Sequence, residues 1–257
     1  MLRPITEIEG YAVGATDGPI GSIVDYLFDD DSWRVRWLVV DTGAWLFGRR
    51  VLLPPSILGH VNHIGHQFAV RLTKQQVRDS PDIRTDEPVS RLMENNLYDH
   101  YGWTPYWSSG FYLSGYGYTG AQTPPGDPNA APRETEEQVV QRLGSDPHLR
   151  SARELVSYHI HARDGEIGHV ADFLIEDGDW SLRYLIVETA HWGPGKRVLI
   201  SPRSILSVDW AARSIDLRVD RRDVSQSPAY TGAEILDRAY QRDFHRYYDQ
   251  VPVTEIA

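Results

Sequence analysis

The chain has 257 residues, of which 41% are hydrophobic and 24% are charged, and it contains no cysteine. This composition is typical of a globular protein with enough length for two small domains. The absence of thiols excludes disulfides, cysteine nucleophiles and cysteine-ligated metals. The formal charge is −10, and the sequence contains no cluster of Lys and Arg residues that would form a basic surface. Both features argue against a nucleic-acid partner.

Hydropathy along the chain argues against a membrane protein. Nowhere do about 18 apolar residues occur together, and the first residues lack the apolar run of a signal peptide. We therefore expect a cytoplasmic protein with no transmembrane segment.

The first part of the chain is predicted to form short β-strands. Period-two alternation, β-branched and aromatic residues and regular turn signals favour strands at about residues 8–15, 20–29, 32–41, 49–54 and 67–72. Asp30-Asp31 predicts a two-residue turn between the second and third strands. Thr73 and Gln76 form a capping-box pattern that begins a short helix, and a longer helix is expected over about residues 87–101.

The composition then changes twice. Residues 102–118 are rich in Trp, Tyr, Phe and Gly, and residues 119–133 are rich in Pro, Gly and Ala, as in a linker. The aromatic stretch, which contains Trp103 and Trp107, is interpreted either as an arm that covers a barrel or as a surface that binds a partner or a carbohydrate.

The second part of the chain repeats the residue pattern of the first part. From Tyr11 to Pro55, a shift of 147 residues finds the same residue type at 20 of 45 positions. This identity indicates an internal duplication. In the second copy Asp177-Gly178 predicts the hairpin turn, and a helix is expected over about residues 233–248.

The predicted fold is therefore mainly β with flanking helices: two small antiparallel β-barrels arranged as an intramolecular pseudo-dimer. Residues 1–101 form the first barrel unit with its C-terminal helix, residues 102–133 form the aromatic arm and linker, and residues 134–257 form the second unit with its own C-terminal helix. Small domains bury a low fraction of their surface, so we expect the two units to touch.

Three short motifs carry a family resemblance. Each unit reads G-x-[IV]-G-x-[IV]-x-D-[YF]-L, then R-[WY]-L-[VI]-V-[DE]-T, then G-[RK]-R-V-L-[LI]-x-P, over Gly18 to Pro55 and Gly165 to Pro202. In these motifs the chain resembles the PRC-barrel family. The resemblance implies a small six-stranded barrel that docks onto other macromolecules and has no catalytic centre.

Several residues are candidates for binding. His60, His63 and His66 recur at a spacing of three and are interpreted either as an exposed hairpin or as a weak candidate zinc site. Trp45 and Trp192 occupy equivalent loops and are either partner anchors or lids on the barrel ends. Trp103 and Trp107 are further candidates for partner contact.

Two charged pairs follow from the predicted turns. Counting outward from each two-residue turn places Asp25 opposite Arg36 and Asp172 opposite Arg183. Each pair is expected to form a cross-strand ion pair that fixes the hairpin register, with a charged docking spot as the alternative.

No phosphate-binding loop, nucleophile elbow or metalloprotease helix is present. We therefore expect a non-catalytic protein-interaction or scaffolding module that needs no cofactor, binds an unidentified protein partner and can also form a homo-oligomer. The alternative is a protein that binds a small ligand or metal at the barrel junction, at the histidine turn or on the aromatic arm.

Overall fold

In a computed structural model of the protein, residues 2–81, 89–107, 149–189, 196–227, 230–232 and 246 are described, without the side chains of residues 60 and 92. We call the described residues up to 107 the first half and those from 149 onward the second half. The predicted linker (119–133), the predicted helix over 233–248 apart from residue 246, and Trp192 lie outside the described residues.

The architecture is mainly β with few helices. The strands are β1 (Leu2–Pro4), β2 (Ala12–Ala15), β3 (Gly18–Asp29), β4 (Arg34–Asp41), β5 (Arg50–Leu53), β6 (Leu58–Asn62), β7 (Gln67–Val70), β8 (Leu149–Ser151), β9 (His159–Ala162), β10 (Gly165–Glu176), β11 (Ser181–Thr189), β12 (Arg197–Ile200), β13 (Ile205–Asp209) and β14 (Ser214–Leu217). The helices are α1 (Ile5–Ile8), α2 (Lys74–Arg78), α3 (Arg91–Tyr101), α4 (Ala152–Leu155) and α5 (Arg221–Gln226).

The same order of elements occurs in both halves. The first half runs through β1, α1, β2 to β7 and α2. The second half repeats this order with β8, α4, β9 to β14 and α5. Helix α3 follows the series of the first half. The predicted capping box is confirmed, because the Thr73 side chain accepts a hydrogen bond from Gln76 N and the Gln76 side chain bonds back to Thr73 N. Helix α3 begins after its cap Ser90, and residues 82–88 lie outside the described part.

All the strands belong to one sheet. Its main path runs β13-β14-β9-β10-β11-β4-β3-β2-β7-β6, with β1, β5, β8 and β12 paired beside it. The path ends at β13 and β6, so the described strands do not close it into a ring. The two halves join where Ser181 of β11 pairs with Arg34 of β4.

The halves exchange their first strands. Strand β1 of the first half pairs with β10 of the second, Leu2 standing opposite Glu176. Strand β8 of the second half pairs with β3 of the first, Leu149 standing opposite Asp29. Each long hairpin is therefore completed by a strand from the other half.

The turns of the two long hairpins are longer than predicted. Asp29 pairs with Arg34 in the first hairpin and Glu176 pairs with Ser181 in the second, so each loop contains four residues rather than two. The last loop residue is a tryptophan with positive φ, Trp33 at 54° and Trp180 at 57°. The amide of each tryptophan closes its loop by donating to the carbonyl of Asp29 or Glu176, at 2.8 Å in both cases.

The predicted pairing of Asp25 with Arg36 is wrong. The longer loop and the register shift between Leu27 and Phe28 place Asp25 opposite Val39. Its carboxylate instead accepts hydrogen bonds from Ser151 Oγ at 2.6 Å and from Arg153 N at 3.1 Å, both in the second half. Arg36 lies 3.7 Å from the Asp29 carboxylate.

The pairing of Asp172 with Arg183 is wrong for the same reason, since Asp172 stands opposite Ile186. Its carboxylate accepts a hydrogen bond from the hydroxyl of Thr6 in the first half, and Arg183 bonds Asp179 at 2.7 Å. Burial raises the pKa of both the Asp25 and the Asp172 carboxyl. The half-buried carboxylate of Asp25 and the buried carboxylate of Asp172 thus each hold the first helical turn of the other half.

Both faces of each long hairpin are covered. This covering is expected, because apolar residues lie on both faces of the hairpin. One face of each hairpin joins a single core cluster to which both halves contribute. The opposite face of the first hairpin, with Leu27, Trp37 and Val39, is covered by α3 and by Leu149 of the second half. In the second half Leu174, Tyr184 and Ile186 pack against Leu2 and Tyr230.

None of the helices in the described residues is long and apolar enough to span a membrane.

Candidate interaction surface

The loop between β4 and β5 carries the most exposed aromatic side chain of the described residues. Phe47 is 98% exposed and adopts a left-handed conformation with φ of 57°, which is uncommon for a bulky residue. This conformation ends the 3₁₀ turn Gly43–Leu46. Sequence reasoning selected Trp45 in this loop and missed Phe47.

The loop is held by its own hydrogen bonds. Gly48 N donates to Gly43 O at 2.7 Å, and the Thr42 hydroxyl donates to Arg49 O at 2.6 Å. Gly43 N donates to the Asp41 carboxylate at 2.8 Å. These bonds fix the backbone on both sides of Phe47, so the ring is presented on an ordered tip.

Trp45 forms the base of the same loop. Its indole N–H donates to the carbonyl of Ile20, and the half-buried ring packs against the main core. The ammonium of Lys74 lies 4.5 Å from the ring centroid, and the guanidinium of Arg78 lies 5.9 Å from it. The position of Trp45 fits the interpretation of a lid at the end of the strands, and the two cations over its ring lie beside the loop that carries Phe47.

The basic character of this surface extends along the chain. Arg49 and Arg50 follow Phe47 after Gly48, and the Arg49 guanidinium donates to Arg78 O at 3.0 Å. Four cationic side chains, together with the carboxylate of Asp41 opposite Arg50, therefore lie in or beside the loop of a protein whose formal charge is −10. We call the Phe47 ring together with Arg49, Arg50, Lys74 and Arg78 the Phe47 surface.

The described start of the aromatic arm packs onto the first half. Trp103 stacks on Tyr101 with ring centroids 4.1 Å apart, and Trp107 meets Tyr98 edge-on at 5.3 Å. Between them, the Tyr106 ring lies 3.7 Å from the Arg36 guanidinium. These contacts cover the outer face of the first hairpin; the rest of the arm, residues 108–118, lies outside the described residues.

Beneath the arm lies a polar contact that sequence reasoning missed. The side chain of Glu94 on α3 is fully buried and accepts a hydrogen bond from the indole N–H of Trp37 at 2.8 Å. The Arg91 guanidinium lies 3.3 Å from the same carboxylate. Burial, and then the charge of Glu94, raises the pKa of the neighbouring Tyr98 hydroxyl.

The described histidines of the predicted zinc turn have other contacts. His66 stacks on Tyr11 with ring centroids 4.9 Å apart, and His63 Nδ1 lies 3.5 Å from the Tyr11 hydroxyl. The side chain of His60 is not among those described. Among the side chains that are, no group of three His, Cys, Asp or Glu is placed to hold a metal ion.

Comparison with known proteins gives two similarities, both to part of the chain. Over 82 residues the chain is 35% identical to a protein of Deinococcus radiodurans named as uncharacterized; the alignment covers 32% of this chain and 29% of that protein. The chain thus spans less than a third of the length of this relative. Residues 3–77 match the PRC-barrel domain. This range begins in β1, the exchanged first strand, and ends within α2.

Proposed function

We propose that both halves are PRC-barrel units and that they form an intramolecular pseudo-dimer. The second half repeats the element order of the first, and the family match covers only the first. Three features support an obligate association of the halves. They are the exchanged strands β1 and β8, the hydrogen bonds of Asp25 and Asp172 to the opposite half, and the common core. This assembly provides a rigid platform.

Cutting the chain between the halves tests this pseudo-dimer. A specific protease site inserted within residues 119–133 is expected to give two fragments that elute together from a sizing column. The physical reason is that each fragment supplies a strand to the sheet of the other, and removing that strand exposes a sheet edge. The control is the same digest under denaturing conditions, where the fragments are expected to separate. Separation under native conditions would contradict the proposal.

We further propose that this platform is a non-catalytic interaction module and that the Phe47 surface is its docking contact. The observation that carries this proposal is the full exposure of Phe47 on a hydrogen-bonded tip. Burying a Phe side chain contributes about 1.5–3 kcal/mol. Because the loop is already ordered, little of that free energy is lost in fixing it on binding.

The charges around Phe47 define the partner. Four cations beside an apolar tip complement a protein surface that has an apolar pocket with an acidic rim. A membrane is a weaker candidate, because one inserted aromatic ring provides less free energy than a single acyl chain, which itself binds marginally. The proposed partner is therefore an acidic protein.

The variant Phe47→Ser tests the docking contact. Immobilised wild-type protein is incubated with an extract of the native organism, and the retained proteins are quantified. We expect an acidic protein whose recovery falls at least about tenfold with Phe47→Ser, since loss of a central anchor costs about 2 kcal/mol or more. Its recovery with wild type is also expected to fall as salt is raised.

Ile64→Ser is the matched control, because Ile64 is also 98% exposed but lies in the turn between β6 and β7. Its profile of retained proteins is expected to equal that of the wild type. Equal retention by Phe47→Ser and wild type would contradict the docking contact. Phe47-dependent sedimentation with anionic vesicles, without a retained acidic protein, would instead assign the surface to a membrane.

A further inference from the structure

The outer face of the sheet in the second half carries a group of ionisable side chains. His159 and His161 lie two residues apart on β9, so both rings stand on the same face, and their side chains are 60% and 43% exposed. On one side of β9, strand β10 pairs His169 with His159 and Glu166 with His161. On the other side, strand β14 pairs Asp216 with His161. We call these three imidazoles and two carboxylates the histidine face.

A β-bulge brings Glu166 and His169 to this face together. Residues three apart in a regular strand point to opposite faces, but the pairing of β10 with β9 shifts between Glu166 and Gly168. Ile167 and Gly168 are therefore buried, whereas Glu166 and His169 on either side of them are exposed. Bulges that re-aim side chains in this way are common next to functional sites.

The duplication provides an internal comparison for the histidine face. In the first half β2 pairs with β3 and β7, just as β9 pairs with β10 and β14. At the offset of 147 residues, however, none of the five counterparts has an imidazole or a carboxylate; they are Ala12, Gly14, Pro19, Ser22 and Ala69. The same strand pairing thus forms without these ionisable side chains, so the fold does not require them.

The carboxylates lie beside two of the imidazoles. His159 Nδ1 is 3.1 Å from the Glu166 carboxylate, and His161 Nδ1 is 3.7 Å from the Asp216 carboxylate. In a neutral imidazole that directs its Nδ1–H to a carboxylate, Nε2 carries the lone pair. Metal-ligating histidines usually have this second contact, which fixes the tautomer and raises the basicity of the ligand.

From this geometry we infer that the histidine face binds a divalent transition-metal ion such as Zn²⁺, through Nε2 of His159, His161 and His169. Imidazole is a preferred ligand of Zn²⁺, Cu²⁺ and Ni²⁺, and three histidines with one water are a ligand set that proteins use for Zn²⁺. Glu166 and Asp216 would orient the rings from behind. This site is separate from the Phe47 surface and from the predicted zinc turn.

The spacing of the three histidines allows their rings to meet at one ion. Cβ atoms of directly paired residues lie about 4.5–5.5 Å apart, and residues two apart on a strand lie about 6.6 Å apart. Both separations are within the reach of imidazoles around an ion that takes Zn–N distances of about 2.0 Å. Among the described side chains no three ligands already surround one point, so the ion assembles the site by rotating exposed rings, a motion of picoseconds to nanoseconds.

Titration of untagged full-length protein with Zn²⁺ tests the site. Calorimetry is expected to show saturable binding, and ¹H–¹⁵N spectra are expected to show shifts in the ring signals of His159, His161 and His169. Because a ligating imidazole must be neutral, the affinity should fall at least about tenfold between pH 7.5 and pH 5.5. A Kd weaker than about 1 mM at pH 7.5, or saturation that leaves these three rings unshifted, would overturn the inference.

His159→Ala introduces the residue that the first half has at this position, so it is expected to fold and to weaken Zn²⁺ binding at least about tenfold. His161→Ala should have the same effect. His66→Ala is the matched control, because it removes an imidazole that is also exposed but belongs to the predicted zinc turn of the first half, and it is expected to bind as the wild type does. Wild-type affinity in folded His159→Ala and His161→Ala, or an equal loss in His66→Ala, would contradict the site.

Discussion

Replacing Gly21 by alanine is expected to lower the free energy of unfolding by at least about 3 kcal/mol, at the upper end of overpacking effects. A Cβ atom on Gly21 would stand 1.9 Å from the carbonyl oxygen of Asp41. That oxygen belongs to the backbone of β4, so no side-chain rotation can relieve the clash. Strands β3 and β4 would have to move apart where β4 ends at Asp41.

The measurement is chemical denaturation of Gly21→Ala beside a matched glycine variant. Gly178→Ala is the control, because the nearest atom to its Cβ is a side-chain oxygen of Glu176 at 3.9 Å, and we expect a change within about 1 kcal/mol. Gly168→Ala should match Gly21→Ala, since its Cβ would stand 2.0 Å from Glu188 O. A Gly21→Ala protein as stable as Gly178→Ala would contradict this packing.

The part of the fold that could be predicted from the sequence is local. The duplication fixed the correspondence between halves, alternation located β3 and β4, and the Thr73 cap located α2. The register could not be predicted, because Trp33 and Trp180 adopt positive φ and β-bulges shift the pairing. A positive φ at Trp is rare and has no sequence signature of its own.

The exchange of β1 and β8 was also beyond sequence reasoning. Each strand has only three residues, too few for a periodic pattern, and its partner lies in the other half. The predicted ion pairs are wrong, because the carboxylates of Asp25 and Asp172 accept hydrogen bonds from Ser151 and Thr6 of the opposite half rather than lying opposite arginines. Conserved spacing between the two copies revealed that these positions mattered and could not reveal what they contact.

Sequence reasoning selected Trp45 as a candidate for binding and did not select Phe47 in the same loop. The repeat pointed to Trp45 because Trp192 occupies the same place, whereas Phe47 has Pro194 as its counterpart and so left no repeat signal. Local backbone geometry decides the outcome: Trp45 turns back to Ile20, and the left-handed residue Phe47 faces solvent. Side-chain exposure of this kind needs the folded loop.

The second large effect is expected for Trp37→Phe, which should cost about 3 kcal/mol of unfolding free energy. The Trp37 side chain is fully buried, and its indole N–H is bonded to the equally buried carboxylate of Glu94. Phenylalanine retains most of the ring but removes the donor, so a charged acceptor loses a hydrogen bond where water cannot replace it.

Non-additivity distinguishes this buried bond from simple packing. Adding Glu94→Leu to Trp37→Phe removes the acceptor together with its donor, so the double variant should recover about 1 kcal/mol or more relative to Trp37→Phe. Trp103→Phe is the matched control for loss of an indole at the half-buried stack on Tyr101, and it should cost under about 1 kcal/mol. Denaturant unfolding of wild type, the three single variants and the double variant measures these differences. The contradicting result is a double variant that is less stable than Trp37→Phe by the full cost of Glu94→Leu alone. The two side chains would then contribute independently to stability, and the bond between strand β4 and helix α3 would not be what holds that helix against the sheet.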